Sequence, residues 1–161
     1  MNNQKIAVIM SLYINDVIQY VRLAVESILG QTYTNFDFYI QYDGPIQAQV
    51  DEFLSSLPDA RIKIMRRAEN MGLAHSLNDL LAMLASQDYE YIARMDADDI
   101  SLHERFEKQI EYLKFHLDVD MVGSAINEID EEGKDRGKVT KYPCCSEECR
   151  AFFAKRNPVA H

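Results

Sequence analysis

The chain has 161 residues, 47% of them apolar, which suffices for one compact domain with a buried core and is too short for two domains of ordinary size. We therefore expect a single domain over residues 1–161. Its 26 acidic residues outnumber its 17 basic ones, and the net charge of -9 argues against a broad surface for nucleic acid or anionic membranes. A local basic pocket for one phosphate group remains compatible with this charge.

Apolar periodicity predicts alternating strands and helices over the first 95 residues. The β-branched run at residues 5–10 indicates a strand buried on both faces, and helical spacing before Gly30 indicates a helix over residues 16–29. Further strands are predicted at residues 36–42, 61–65 and 90–95, and further helices at 47–56 and 73–85. This alternation is typical of βαβ crossovers, so the predicted fold class is α/β, with a mostly parallel sheet flanked by helices.

The remaining third of the chain is less regular. Leu102, Phe106, Ile110, Leu113 and Leu117 predict an amphipathic helix, residues 119–129 a further strand, and the charged residues 130–138 a solvated hairpin or loop. The sequence stops at residues 157–161 in what reads as the middle of an element. We therefore expect a C-terminally truncated piece of a longer protein.

The cysteines and the N-terminus predict a cytoplasmic protein. Cys144, Cys145 and Cys149 have no partners at zinc spacing and form no disulfide framework, so reduced thiols are expected. No signal-peptide pattern and no apolar run of membrane-spanning length occurs, so no transmembrane segment is predicted. Any association with the inner face of a membrane would depend on other segments or partners.

Three carboxylates, Asp96, Asp98 and Asp99, follow the predicted fourth strand directly. Like charges this close repel unless a cation lies among them, and oxygen ligands suit Mg²⁺ or Mn²⁺, which keep open positions for substrate phosphates. On this pattern alone, a metal site and a cap for the helix expected near Leu102 are about equally favoured. A calcium loop is rejected because Ile100 replaces an oxygen ligand, and a zinc-protease helix because its second histidine is missing.

Ligands of open parallel sheets bind beyond the carboxyl ends of the strands. Ser11 and Tyr13 follow the first predicted strand and Asp43 the second, so we expect them to share a cleft with the acidic residues. Tyr13 as a core aromatic residue and Asp43 as a turn former are the alternatives.

Five short motifs occur in an order and spacing that resemble the family 2 glycosyltransferases of GT-A fold. They are residues 6–13 (IAVIMSLY), 27–33 (SILGQTY), 43–44 (DG), 70–73 (NMGL) and 95–99 (MDADD). The resemblance covers nearly the whole chain and implies a Rossmann-like nucleotide-diphospho-sugar transferase fold. It also implies inverting transfer of a sugar from a nucleoside diphosphate sugar, UDP-sugar favoured, to a hydroxyl of a saccharide or lipid-linked acceptor, as in polysaccharide biosynthesis.

The same resemblance implies roles for individual residues. Asp43 would pair with the edge of the base, and Ser11 and Tyr13 would line the nucleoside pocket. Asp96 and Asp98, within the D-x-D motif, would approach the ribose and Mg²⁺ or Mn²⁺, and Asp99 would be a further metal contact.

The resemblance also implies a catalytic base, an aspartate well after the D-x-D motif, which would lie beyond residue 161. Glu128 and Asp130 read as surface or strand-end residues, and His161 as a metal or diphosphate contact or a frayed end. We therefore expect donor binding with little transfer by this polypeptide. A nucleotidyltransferase of similar fold and a non-catalytic nucleotide-sugar-binding fragment are the alternatives. The first would ordinarily carry a Gly-rich basic loop after the first strand, which residues 11–15 (SLYIN) lack.

Overall fold

The computed structural model describes residues 4–160, so the prediction for His161 lies outside the described residues. Contacts between Cα atoms divide the chain into two compact units, the first ending at Ile110 and the second beginning at Glu111. The expectation of a single domain stays a prediction. The elements are β1 (Ile6–Leu12), α1 (Ile18–Leu29), β2 (Phe36–Tyr42), α2 (Ala48–Ser56), β3 (Ile62–Arg66), α3 (Leu73–Leu84), β4 (Tyr91–Arg94), α4 (Arg105–Phe115), β5 (Ile126–Ile129), β6 (Asp135–Thr140) and α5 (Ser146–Phe153).

The first unit contains a parallel sheet with the strand order β3-β2-β1-β4. β1 lies inside the sheet, and its residues from Ile6 to Met10 are at most 3% exposed, because helices cover both faces. This is why β1 reads as a continuous apolar run rather than an alternating one. The predicted α/β class with a mostly parallel sheet is confirmed.

The order of the strands determines which face each helix covers. The chain steps from β1 to β2 to β3 in one direction and then places β4 on the other side of β1. Right-handed crossovers therefore put α1 and α2 on one face and α3 on the opposite face. The larger core cluster joins α1, α2 and the start of α4 to the first face, and a smaller cluster around Ile9, Tyr39 and Leu80 lies under α3.

The seven elements predicted between residues 5 and 95 are all present, with ends displaced by no more than two residues. β1 runs on to Leu12 because it stays paired with β2 as far as Tyr42. α1 begins at Ile18 rather than Asp16, since the Asp16 side chain accepts a hydrogen bond from the Tyr13 N–H in the preceding turn.

The predicted helix after the acidic residues was wrong at both ends. α4 begins at Arg105, and Leu102 precedes it with 73% of its surface exposed. Leu117 lies beyond the helix and is 90% exposed. Asp98 and Asp99 precede Arg105 by seven and six residues, so neither is at the N-cap position of α4, and the Phe106 N–H in the first turn donates to Gln31 instead.

The second unit contains the antiparallel pair β5 and β6 followed by α5. The predicted strand within residues 119–129 is only four residues long, and the predicted loop is a turn that leads into β6. Asp130 forms this turn by accepting hydrogen bonds from the N–H groups of Glu132 and Lys134. Within residues 4–160, no helix combines the length and the apolar character needed to cross a membrane.

Replacing Phe106 by Ala should lower the free energy of unfolding by about 3–5 kcal/mol, the usual loss for a buried phenylalanine. Phe106 is 1% exposed and packs edge-to-face on Phe36 with ring centroids 5.8 Å apart. Phe115 lies on the same helix but is 78% exposed, so Phe115→Ala should change the stability by no more than about 0.5 kcal/mol. Urea unfolding of both variants tests this, and equal losses would contradict the assignment of Phe106 to the core.

Candidate active site

The loop of residues 96–99, here called the acidic loop, leaves β4 at the carboxyl edge of the sheet. Met95 and Ala97 are 2% and 9% exposed and belong to the core cluster, so the residues between and after them are turned outward. Asp96 is half-buried, while Asp98 and Asp99 are exposed. β4 pairs with β1 on the side opposite β2, so the acidic loop lies at the reversal of strand order, where open sheets bind ligands.

Two arginines compensate the charge of the acidic loop, and neither was predicted from the sequence. Arg94, the last residue of β4, directs its Nε and Nη2 atoms to Asp96 Oδ1 at 3.2 and 3.0 Å. Arg105, at the start of α4, donates from Nη2 to the Arg94 carbonyl at 2.8 Å. Burial lowers the pKa of the Arg105 guanidinium, and the charges of Asp99 and Asp96 act in the opposite direction.

The sequence suggested that only a bound cation could relieve the repulsion among the three carboxylates. Because the two arginines supply positive charge, this repulsion does not by itself require a metal. Arg94 could have been noticed, since it precedes Asp96 by two residues and strand residues at that spacing share a face. Arg105 lies eleven residues from Arg94, and only the fold brings them together.

The donor set fits a metal held jointly with a diphosphate rather than a closed cage. Among residues 4–160, no three His, Cys, Asp or Glu side chains are gathered closely enough to hold a metal ion. Mg²⁺ usually takes one or two carboxylates and completes its coordination with water and substrate phosphates, and Asp98 and Asp99 are accessible for this. The metal roles of Asp96, Asp98 and Asp99 stay predictions.

The loop between β1 and α1 brings a further carboxylate, Asp16, into the electrostatic range of Asp98. Burial raises the pKa of Asp16 to about 6; the hydrogen bond from the Tyr13 N–H, 2.8 Å long, opposes this rise, and the charge of Asp98 adds to it. Gln47 holds the loop by donating from Nε2 to the Ile14 carbonyl at 2.9 Å. Sequence reasoning missed Asp16, which reads as an ordinary start of a helix.

Ser11 and Tyr13 lie at and just beyond the carboxyl end of β1, and their role in a nucleoside pocket stays a prediction. Ser11 lies near the end of β1, half-buried, opposite Gln41 of β2. Tyr13 follows the strand and is 42% exposed, which removes the alternative that it is a core aromatic residue.

Asp43 holds the loop that precedes α3. Its carboxylate is almost fully buried and accepts hydrogen bonds from the N–H groups of Met71 at 2.9 Å and Gly72 at 2.8 Å and from Arg67 Nη1 at 3.2 Å. It is therefore more than a turn former. A carboxylate offers about four acceptor positions, so pairing with a base would use the remaining one or displace Arg67. The base-pairing role of Asp43 stays a prediction.

Gly44 is required by a close approach of two backbone segments. It has φ of 81°, and a Cβ atom there would lie 2.7 Å from the Asn70 nitrogen. The DG and NMG motifs are thus parts of one contact, because Asn70 Nδ2 also donates to the Asp43 carbonyl at 3.2 Å.

Comparison with known proteins agrees with this fold. The mannosyltransferase PcManGT from Pyrobaculum calidifontis, solved in complex with GDP-Man and Mn²⁺, superposes with a TM-score of 0.59 at 17% identity, covering 76% of this chain and 35% of that one. The amylovoran biosynthesis glycosyltransferase AmsE of Erwinia amylovora is 35% identical over 96% of this chain and 57% of its own length. An Escherichia coli UDP-Gal:alpha-D-GlcNAc-diphosphoundecaprenol beta-1,3-galactosyltransferase is 27% identical over 98% of this chain and 56% of its own.

The fold and the position of the acidic loop define the GT-A class of nucleotide-sugar transferase folds. The family model described as glycosyl transferase family 2 matches residues 7–159, and the chain belongs to that family. The chain spans a little over half the length of the curated relatives named above.

Asp16→Asn should stabilise the metal-free protein at pH 8 and leave it nearly unchanged at pH 4. The pKa of Asp16 is higher in the folded state, so its protonated form contributes stability that is present below pH 3.8 and is lost as the pH rises through about 6. A shift of this size corresponds to roughly 3 kcal/mol, which solvent screening of a partly exposed group reduces to about 1 kcal/mol. Chemical unfolding in EDTA at pH 4 and pH 8 measures the difference in the free energy of unfolding between Asp16→Asn and the unmodified protein. Asp88→Asn, at an exposed position, is the control, and a pH-independent effect of Asp16→Asn would contradict the assignment.

Asp43→Asn should lower the free energy of unfolding by roughly 2–3 kcal/mol, because a buried N–H and Arg67 lose a charged acceptor. Asp51→Asn is the matched control. Asp51 also accepts from an arginine, Arg66 at 2.8 Å, in an exposed pair that should contribute at most about 1 kcal/mol. It accepts the Tyr42 hydroxyl at 3.0 Å as well, and the amide oxygen of Asn can still accept that hydrogen bond. Urea unfolding compares the two, and a small loss for Asp43→Asn would show that its carboxylate does not hold the loop.

Proposed function

We propose that this chain forms the donor-binding part of an inverting glycosyltransferase that moves a sugar from a nucleoside diphosphate to an acceptor hydroxyl with the help of a divalent metal. One observation carries the proposal: accessible carboxylates leave the sheet at its reversal of strand order, with two arginines beneath them. Family membership supports the transferase class. The metal, the stereochemistry and the substrates are proposed on this basis.

The residues of the acidic loop have different proposed roles. Arg94, which pairs with Ile9 of β1, donates to the Asp96 carboxylate, and we assign Asp96 to the ribose side of the donor. Asp98 and Asp99 are turned outward and would hold Mg²⁺ or Mn²⁺. When bound, the metal would neutralise the negative charge that develops on the departing diphosphate.

The nucleoside would lie between the ends of β1 and β2. Tyr13 offers an exposed ring for stacking, and Asp43 holds the backbone of Met71 and Gly72 at the opposite wall. We favour a uridine nucleotide, because the Escherichia coli relative is named for a UDP-galactose donor, and a lipid-linked or saccharide acceptor on the same grounds. The Pyrobaculum calidifontis enzyme, bound to GDP-Man, makes GDP the comparison to test.

Inversion requires a general base, and we assign none among residues 4–160. Glu128 accepts hydrogen bonds from Lys138 and Thr140, which lower the pKa of its carboxyl group and weaken it as a base. Asp130 accepts backbone N–H groups of its own turn. Neither Glu128 nor Asp130 is therefore proposed as the base that removes the proton from the acceptor hydroxyl.

UDP should raise the melting temperature only when Mn²⁺ or Mg²⁺ is present, because the exposed carboxylates of the acidic loop repel a diphosphate. At a UDP concentration of about 100 times Kd, the shift should be roughly 5 °C or more. Asp98→Asn should remove most of the shift without lowering the melting temperature of the free protein. Thermal unfolding with UDP, GDP and ADP, each with Mn²⁺ or EDTA, measures it.

Asp88→Asn provides the control for this experiment. It removes the same charge at an exposed position just before Glu90, whose N–H bonds to the Lys5 carbonyl at the opposite end of the sheet. Its Mn²⁺-dependent shift should equal that of the unmodified protein. Shifts of equal size in Mn²⁺ and in EDTA would overturn the proposed metal-assisted binding.

A further inference from the structure

Three polar residues at the end of α1 reach the segment that follows the acidic loop, although 69 or more residues separate them in sequence. We call Ser27, Gln31 and Thr32 the clamp; all three belong to the SILGQTY motif. Nothing in the proposed chemistry uses their side chains directly. Their contacts nevertheless lie only two to eight residues beyond Asp99.

Gln31 is the centre of the clamp and is only 3% exposed. Its Nε2 lies 2.8 Å from the Leu102 carbonyl, 3.2 Å from Ser101 Oγ and 3.0 Å from the Ser27 carbonyl. Its Oε1 accepts the Phe106 N–H at 3.1 Å. Phe106 is in the first turn of α4, where N–H groups have no partner within the helix, so Gln31 caps α4 from another element.

Ser27 and Thr32 extend the contact on either side of Gln31. Ser27 Oγ accepts the Ser101 N–H at 3.0 Å and donates to the Ala24 carbonyl at 2.7 Å. The Thr32 N–H donates to the His103 carbonyl at 3.0 Å, and Thr32 Oγ1 donates to Glu107 at 2.9 Å. The segment of residues 101–107 is thereby bonded to the end of α1 at several points.

The acidic loop is therefore fixed at both ends. At its entry, the Met95 N–H donates to the Ile9 carbonyl of β1 at 3.0 Å. At its exit, the clamp holds Ser101 and Leu102, which leaves only residues 96–100 between the two fixed points. A segment this short has few conformations, so the backbone that carries the three carboxylates is ordered before any ligand arrives.

We infer that Gln31 and Ser27 are positioning residues for the binding of metal and nucleoside diphosphate by the acidic loop. The inference rests on the proposed function of that loop. Neither side chain would touch the ligand. Each would act by keeping residues 96–99 in the arrangement that binds, since supporting contacts of metal ligands typically influence affinity about 10- to 100-fold.

The test compares Gln31→Met with Tyr39→Phe in two measurements on the whole chain. Met fills the space of Gln31 without its hydrogen bonds. Tyr39→Phe removes buried hydrogen bonds to Tyr89 at 2.8 Å and Gln87 at 3.3 Å, on the face covered by α3. Tyr39 thus controls for the general loss of stability.

The first measurement is hydrogen exchange of the ligand-free protein. Gln31→Met should speed exchange in peptides covering residues 95–106, and Tyr39→Phe should not. The second is titration with UDP in Mn²⁺, in which Gln31→Met should weaken binding by about tenfold or more while Tyr39→Phe leaves it within about twofold. Ser27→Ala should also weaken the binding of UDP. Ser27→Thr keeps the hydroxyl group and should bind UDP as the unmodified protein does.

Unchanged exchange in residues 95–106 of Gln31→Met, or equal affinity losses for Gln31→Met and Tyr39→Phe, would overturn the inference. Failure of the unmodified protein to bind UDP, GDP or ADP with Mn²⁺ would instead overturn the proposed function. In that case the exchange measurement would still decide whether the clamp orders the loop.

Discussion

The placement of β4 beside β1, on the side away from β2, is the constraint on which the rest of the first unit depends. Because crossovers are right-handed, this single reversal sends α3 to the opposite face from α1 and α2. It also brings the loops that follow β1 and β4 side by side at the carboxyl edge of the sheet, where open sheets bind ligands. Asp16 and the acidic loop meet at that edge because of the topology and not because of their separation in sequence.

The acidic loop can fold without a metal because the protein supplies opposite charge from two directions. Arg94 reaches Asp96 along the surface of the sheet, and Arg105 lies beneath the loop with its charge partly desolvated. A buried guanidinium without an acceptor would be strongly destabilising, and the Arg94 carbonyl provides one at 2.8 Å. Arg105 thus fixes the end of β4 through the Arg94 carbonyl, while the charges of both arginines stabilise the carboxylates.

The sequence was sufficient for the fold class and for most elements of the first unit, because each carries a local period or a local turn signal. β2 was predicted at Phe36–Tyr42 to the residue, since a run rich in aromatic and apolar residues and the turn signal Asp43-Gly44 mark its limits. The start of α4 was not predicted, because the group that caps it is Gln31, 75 residues away. Likewise Asp43 was read as a base contact from a resemblance, whereas its hydrogen bonds to Met71 and Gly72 become visible only in three dimensions.

If the acidic loop binds a metal and a diphosphate as proposed, the described residues supply too few ligands to close the metal site by themselves, so the two partners would depend on each other for binding. The described residues gather no three metal-binding side chains, and Arg94 already engages Asp96, so a free divalent ion would find only a weak site. A diphosphate alone would meet the exposed charges of Asp98 and Asp99, which repel it. In the proposed site, phosphate oxygens would complete the coordination of the metal, and the metal would remove the repulsion. Each partner would then raise the affinity for the other, and linkage would require the two effects to be equal. We expect the metal and the nucleoside diphosphate to bind as a unit, to a loop whose ordering the fold has already supplied.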